Sequence, residues 1–135
     1  MLSHSTIRKL FHKACRDINA PKEKSCYRTQ PIDFGYIYIK INDNGYHYIG
    51  TERGSETIHK TTTNADELIY WLISDVISDM ASSYELTNRV NGQDCRRISF
   101  AKRLELFGKL KEEWAKRAGD EIDAILTKYP YNDRG

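Results

Sequence analysis

The spacing of apolar positions changes twice along this 135-residue chain, and each change marks a change of structure. From Ser5 to Ile18, the residues Ile7, Leu10, Phe11, Ala14 and Ile18 recur at three- and four-residue steps, with Arg8, Lys9, Lys13 and Arg16 mostly off that stripe. This predicts a helix that docks its apolar side on the body of its own domain. Asn19-Ala20-Pro21 ends it, and Lys22–Pro31 reads as a polar connection. From Phe34 to Ile41 the period falls to two, with Ile37, Ile39 and Ile41 on one face and Tyr36, Tyr38 and Lys40 on the other. Asn42-Asp43-Asn44-Gly45 is a hairpin signal, because Asn-Gly supplies the positive φ angles of primed turns. The chain returns as a strand over Tyr46–Glu52, which puts Tyr46 and Tyr48 on the isoleucine face across a two- or four-residue loop. Arg53-Gly54 makes the next turn, and β-branched Glu56–Thr62 reads as a third strand. Three sequential strands predict an antiparallel meander, buried on one face and wet on the other.

The period then returns to that of a helix. Asn64–Met80 carries Leu68, Ile69, Leu72, Ile73, Val76, Ile77 and Met80 in one broad arc, with Trp71, Ser74 and Ser78 off it. Asn64 and Glu67 have the spacing of a capping box. Ser82–Asp94 reads as a polar bridge with a turn at Asn91-Gly92. Phe100, Leu104, Phe107, Leu110 and Trp114 continue the helical spacing, and Gly108 divides it into helices over about 95–107 and 111–128. Trp114, Ala118, Ile122, Ile125 and Tyr129 form the expected buried stripe of the last helix, and Pro130 ends it. The predicted class is α+β: an N-terminal helix and connection (1–31), a three-stranded antiparallel meander (34–62), then three helices (64–129) packed on one sheet face.

Composition adds little to this: 39% apolar and 30% charged residues describe an ordinary globule of one domain, 1–135. Charge adds more, because the net +2 is unevenly placed. Residues 1–30 and 89–118 each carry a net +5, whereas 61–88 has five acids and no Lys or Arg, a net −5. Cys15, Cys26 and Cys95, odd in number and without a Cys-x-x-Cys pair, argue against a disulfide framework and a structural zinc site. No apolar run approaches the ~18 residues of a membrane span, and the start lacks the apolar segment of a secretory signal. A cytoplasmic protein with no membrane partner is expected.

Nothing in the sequence spells a reaction. His47 and His59 are possible neighbours across the sheet, but two imidazoles make a poor metal site. There is no Gly-rich phosphate loop, Gly-x-Ser-x-Gly elbow or His-Glu-x-x-His. Cys95 stands beside Arg96 and Arg97, which lower a thiol's pKa, yet no partner base is evident. No catalytic residue, metal ligand or cofactor is therefore expected.

The acids carry the remaining signal. On a helical wheel Asp79 falls between Leu68 and Leu72, a costly place for a carboxylate unless Asp79, or Glu85 after it, meets a cation among Arg89, Arg96 and Arg97. Asp66, Glu67 and Asp75 are the alternative kind, an exposed acidic patch for a basic partner. The nine tyrosines favour partner binding, since each buries a large area with two rotatable bonds. A second reading, from another class, is a nucleic-acid-binding accessory protein using the basic segments 1–30 and 89–118, although no aromatic signature of an RNA-binding sheet is present.

One set of ordered motifs resembles a known family. They are Tyr46–Gly54 (Tyr-His-Tyr-Ile-Gly-Thr-Glu-Arg-Gly), Thr61-Thr62-Thr63 leading into Glu67-Leu68-Ile69-Tyr70-Trp71, then Tyr84-Glu85-Leu86-x-x-Arg89 and Asp94-x-Arg96-Arg97, closing with Tyr129-Pro130-Tyr131-x-Asp133. Over roughly Gly35 to Asp133 the chain resembles the immunity protein 63 family, encoded beside bacterial polymorphic toxins. The resemblance implies a cytoplasmic protein that binds and neutralises a cognate toxin and has no catalysis of its own. A basic, nuclease-type toxin would complement the acidic helix. On this reading Asp66, Glu67, Trp71, Asp75 and Tyr84 contribute to the toxin surface. Asp79, Glu85, Arg89, Asp94, Arg96 and Arg97 form an architectural ion-pair network instead.

Overall fold

The computed structural model describes residues 1–32 and 36–134. Along the chain come α1 (His4–Asp17), a short 3₁₀ turn at Lys22–Lys24, β1 (Ile37–Asn42), β2 (Gly45–Glu52), β3 (Ser55–Thr62), α2 (Ala65–Thr87), α3 (Cys95–Gly108) and α4 (Glu112–Lys128). The class is α+β: a helix, an antiparallel sheet, then helices. Phe34 and Gly35, where the first strand and the family resemblance were expected to begin, lie outside the described residues. The chain forms two compact units, Met1–Arg16 with Ala20–Ile73, and Asp17–Asn19 with Ser74–Gly135. Helix α2 contributes residues to both.

In the first unit the sheet has the order β1-β2-β3, antiparallel throughout. Ile39 opposes Tyr48 and Ile41 opposes Tyr46, so the tyrosines share the isoleucine face. That face is buried: Ile39, Tyr46 and Tyr48 join Leu68, Leu72 and Ile73 of α2 and Ile7 and Phe11 of α1 in the core. The Tyr46 hydroxyl accepts a hydrogen bond from the Leu2 N–H at 2.7 Å. The opposite face is not wholly wet, since Ile49 is only 2% exposed. In α1 the stripe includes Cys15, whereas Leu10 points outward.

The primed turn expected of the first hairpin is found in the second. Asp43 and Asn44 link β1 to β2 with no positive φ; Gly45 alone takes one, at 140°, and Asn42 Oδ1 accepts from the Asn44 N–H at 2.9 Å. A Cβ on Gly45 would sit 2.6 Å from the Thr62 carbonyl oxygen. The primed geometry is found instead at Arg53 (φ 53°) and Gly54 (φ 78°), closed by the Glu52–Ser55 pair. A register shift between Gly50 and Thr51 brings Thr51 opposite Glu56 and Gly50 opposite Ile58, leaving Thr57 as the extra residue of a bulge.

Helix α2 starts with half of the expected capping box. Asn64 Oδ1 accepts from the N–H groups of Asp66 (2.8 Å) and Glu67 (3.4 Å), but the Asn64 N–H goes to Thr62 Oγ1 (3.1 Å). Its end is a correction: α2 runs to Thr87, because Ala81 and Glu85 continue the buried stripe past Met80, which is half-buried. Asp79 is likewise corrected. It lies on the exposed side, not within the apolar stripe.

In the second unit Val76, Ile77 and Ala81 of α2, Phe100, Leu106 and Phe107 of α3, and Trp114, Ala118 and Ile122 of α4 are buried. Leu104, Ile125 and Tyr129, expected on the inner stripes, are exposed, Tyr129 because it lies past the end of α4. The turn before α3 is closed by Gln93 N–H to Val90 O at 3.2 Å, with Gly92 at φ 79°.

Candidate functional site

Two arrangements in the second unit organise its charged residues. The first ties the chain after α4 to the start of α3. Asp94 caps α3 through the Arg96 N–H (3.0 Å) and also accepts from the Asn132 N–H (2.9 Å). Asp133 returns the contact by accepting from the Asp94 N–H (2.7 Å) and from Arg97 Nε (3.0 Å). Arg96 grips the Asp94 carboxylate at 2.8 Å and donates to the carbonyls of Tyr129 and Pro130, both at 2.8 Å. Arg97 lies 4.2 Å from the centre of the Tyr131 ring, and the Arg134 N–H donates to Gly92 O. Arg96, with the backbone N–H groups of Asn132 and Arg96, holds the Asp94 carboxyl far below the usual carboxylate range. Arg97 and the Asp94 N–H lower that of Asp133.

The second is an open groove on α2 and α3, lined by Tyr84, Gln93, Arg97, Ile98, Ala101, Lys102 and Glu105. Tyr84 is 43% exposed, and Lys102 Nζ sits 4.4 Å above its ring while pairing with Glu105 at 2.7 Å. Glu85, the next residue, turns inward, and Arg89 binds both its carboxylate oxygens at 2.9 and 2.8 Å. That pairing lowers the Glu85 pKa.

The acids and arginines singled out in the sequence are thus divided among separate clusters. Glu85 meets Arg89, Asp94 meets Arg96, and Arg97 meets Asp133, a residue outside the predicted network. Asp75 and Asp79 stand on exposed positions of α2. In the first unit Asp66 is exposed and Glu67 half-buried in the first turn of α2. Trp71 is half-buried there, edge-on to Tyr48 with ring centres 5.9 Å apart, and Lys60 Nζ lies 4.6 Å from the Trp71 ring and 4.4 Å from Tyr48. Sequence reasoning passed over Lys102 and Glu105; their i,i+3 spacing signals an ion pair, but nothing in it points to Tyr84. Among the described residues no cluster of three or more His, Cys, Asp or Glu is placed to hold a metal ion. No helix among them is long and apolar enough to cross a membrane. Cys95 is exposed at the start of α3.

No curated protein and no solved structure matches the chain. A model of the family described as Immunity protein 63 matches residues 42–124, more than half of the chain. The matched range runs from Asn42, the last residue of β1, through β2, β3, α2 and α3 to most of α4, includes the Tyr84 groove, and stops short of the Tyr129–Asp133 segment. The chain belongs to the immunity protein 63 family.

Proposed function

We propose that this protein neutralises a cognate toxin of a bacterial polymorphic toxin system by stoichiometric association, without catalysis of its own. Family membership is the observation that carries the reading, since an immunity protein implies a toxin partner. The whole chain, 1–135, acts as one functional domain in the cytoplasm of the cell it protects. The proposed contact residues in the second unit are Asp75 on α2 and Tyr84 in its groove, where an exposed aromatic ring supplies area at low entropic cost. Those proposed in the first unit are Asp66 and Glu67, with whatever part of Trp71 its packing against Tyr48 leaves open. These acids suit a basic, nuclease-type toxin, because charge complementarity speeds encounter and selects the partner.

The charge arrangement disfavours the nucleic-acid reading. At least five of the nine cations in residues 89–118 are paired with carboxylates: Arg89, Arg96, Arg97, Lys102 and Arg117. A phosphate backbone would have to compete with partners already in place. The deciding experiment is co-purification of the tagged protein with the product of the adjacent gene, followed by growth rescue. A stable one-to-one complex that restores growth establishes the function. Absence of both, together with salt-dependent retention on DNA or RNA, replaces it with the nucleic-acid reading.

A further inference from the structure

Asn42, His47, His59 and Glu56 form a hydrogen-bonded chain across one face of the sheet. His47 Nε2 lies 3.0 Å from Asn42 Oδ1, His47 Nδ1 lies 3.0 Å from His59 Nε2, and His59 Nδ1 lies 3.1 Å from Glu56 Oε2. Strand register brings them together. Asn42 and His47 share a face because Lys40 opposes His47 and Asn42 opposes Gly45, and His59 shares it because it opposes Ile49. Glu56 joins them only through the bulge at Thr57, which turns it to oppose Thr51 and face the side of His59.

Counting protons shows what this chain can hold. Asn42 Oδ1 already accepts from the Asn44 N–H at 2.9 Å, which fixes that atom as an oxygen acceptor. His47 Nε2 must therefore carry a proton to bond it. At the other end the Glu56 carboxylate accepts, so His59 Nδ1 must carry one too. The two nitrogens that face each other need a single proton between them. Three protons on two imidazoles make one net positive charge. With two protons one of the three hydrogen bonds is lost; with four, two N–H groups collide.

We propose that His47 and His59 act as one proton site, sharing a single proton between His47 Nδ1 and His59 Nε2, so that this sheet face gains or loses charge as a unit. Among the described residues the charged and titratable groups on this side are Lys40 on β1, which opposes a second proton, Glu56 on β3, which favours the first, Tyr38 of β1, and Arg28, which bridges to Tyr38 at the outer edge of β1 and lies over the Tyr36 ring. Partial burial, His59 and Lys40 depress the His47 pKa, in the sense expected for the proton that enters second. The two steps belong to the pair rather than to either ring. This proposal goes beyond toxin neutralisation and does not depend on it.

The test is ring-nitrogen NMR of the full ¹⁵N-labelled chain from pH 5 to 9. Two steps separated by more than about one pH unit are expected. Between them His47 Nε2 and His59 Nδ1 should both be protonated, with the facing nitrogens at intermediate shifts. His59→Gln should leave His47 with one step at higher pH than the second step of the pair. Glu56→Gln should move the first step to lower pH. If the two rings titrate in single independent steps in the wild-type protein, or His59→Gln leaves the His47 midpoint unchanged, the proposal is overturned. Should His59→Gln not fold, the wild-type nitrogen shifts decide it alone.

Discussion

Glu85 is a carboxylate only 5% exposed, and Arg89 reaches it from just beyond the end of α2. The pairing fixes the sign of its pH dependence. The folded pKa lies below the unfolded value of about 4.3, so the contribution to stability is complete above that pH and is lost as pH falls through the lowered folded value. Arg89→Met leaves an enclosed carboxylate without that partner, and protonation then relieves it. We expect the melting temperature of Arg89→Met to lie below wild type at pH 7, with a smaller gap at pH 5; thermal melts at the two values test this. Asp94 follows the same sign, with its contribution present above about pH 3.9 and lost on acidification. Asp94→Asn weakens the grip of Arg96 and the Asn132 N–H, so hydrogen exchange of the amides of Asn132 and Arg134 should quicken with α4 little changed.

At the scale of the elements, α2 shows how a buried stripe can outlast its apolar residues. Ile73, Ile77, Ala81 and Glu85 are all buried and recur in steps of four, which turn the stripe by about 40° per step. The wheel that placed Asp79 beside Leu68 and Leu72 assumes one inward direction along the helix, whereas the stripe rotates and leaves Asp79 outside. Truncating the stripe at its fully buried middle, Ile77→Ala, should cost about 2–5 kcal/mol in urea denaturation. The second hairpin offers a change in the other direction. Arg53 sits at φ 53°, a conformation that Asn tolerates better, so Arg53→Asn should stabilise by about 0.5–1 kcal/mol in the same assay.

Across the whole molecule the uneven charge of the sequence becomes local pairing plus exposed acids. Long-range steering by exposed acids is an effect on association rate and is screened by salt. The double substitution Asp75→Lys, Asp79→Lys should therefore slow association with the cognate toxin roughly tenfold at low salt, with the difference shrinking as salt rises. Stopped-flow or surface-binding kinetics would show it, and an unchanged rate would remove Asp75 from the proposed surface.

The element order, the facing of Tyr46 and Tyr48 and the break at Gly108 were legible in the sequence, because each follows from a local period or a single backbone preference. The same local logic exposed the acidic stretch and the motif order of the immunity protein 63 family. Only tertiary structure decided that Glu85 turns inward to Arg89 while Asp79 turns outward, and that Arg97 pairs with Asp133. It alone decided that a bulge brings Glu56 to His59 and that the primed turn lies at Arg53 rather than after Asn42. The physical reason is common to these cases. Periodicity fixes which side of its own element a residue occupies, but the cost of a charge or a strained φ depends on what the rest of the chain brings to that side.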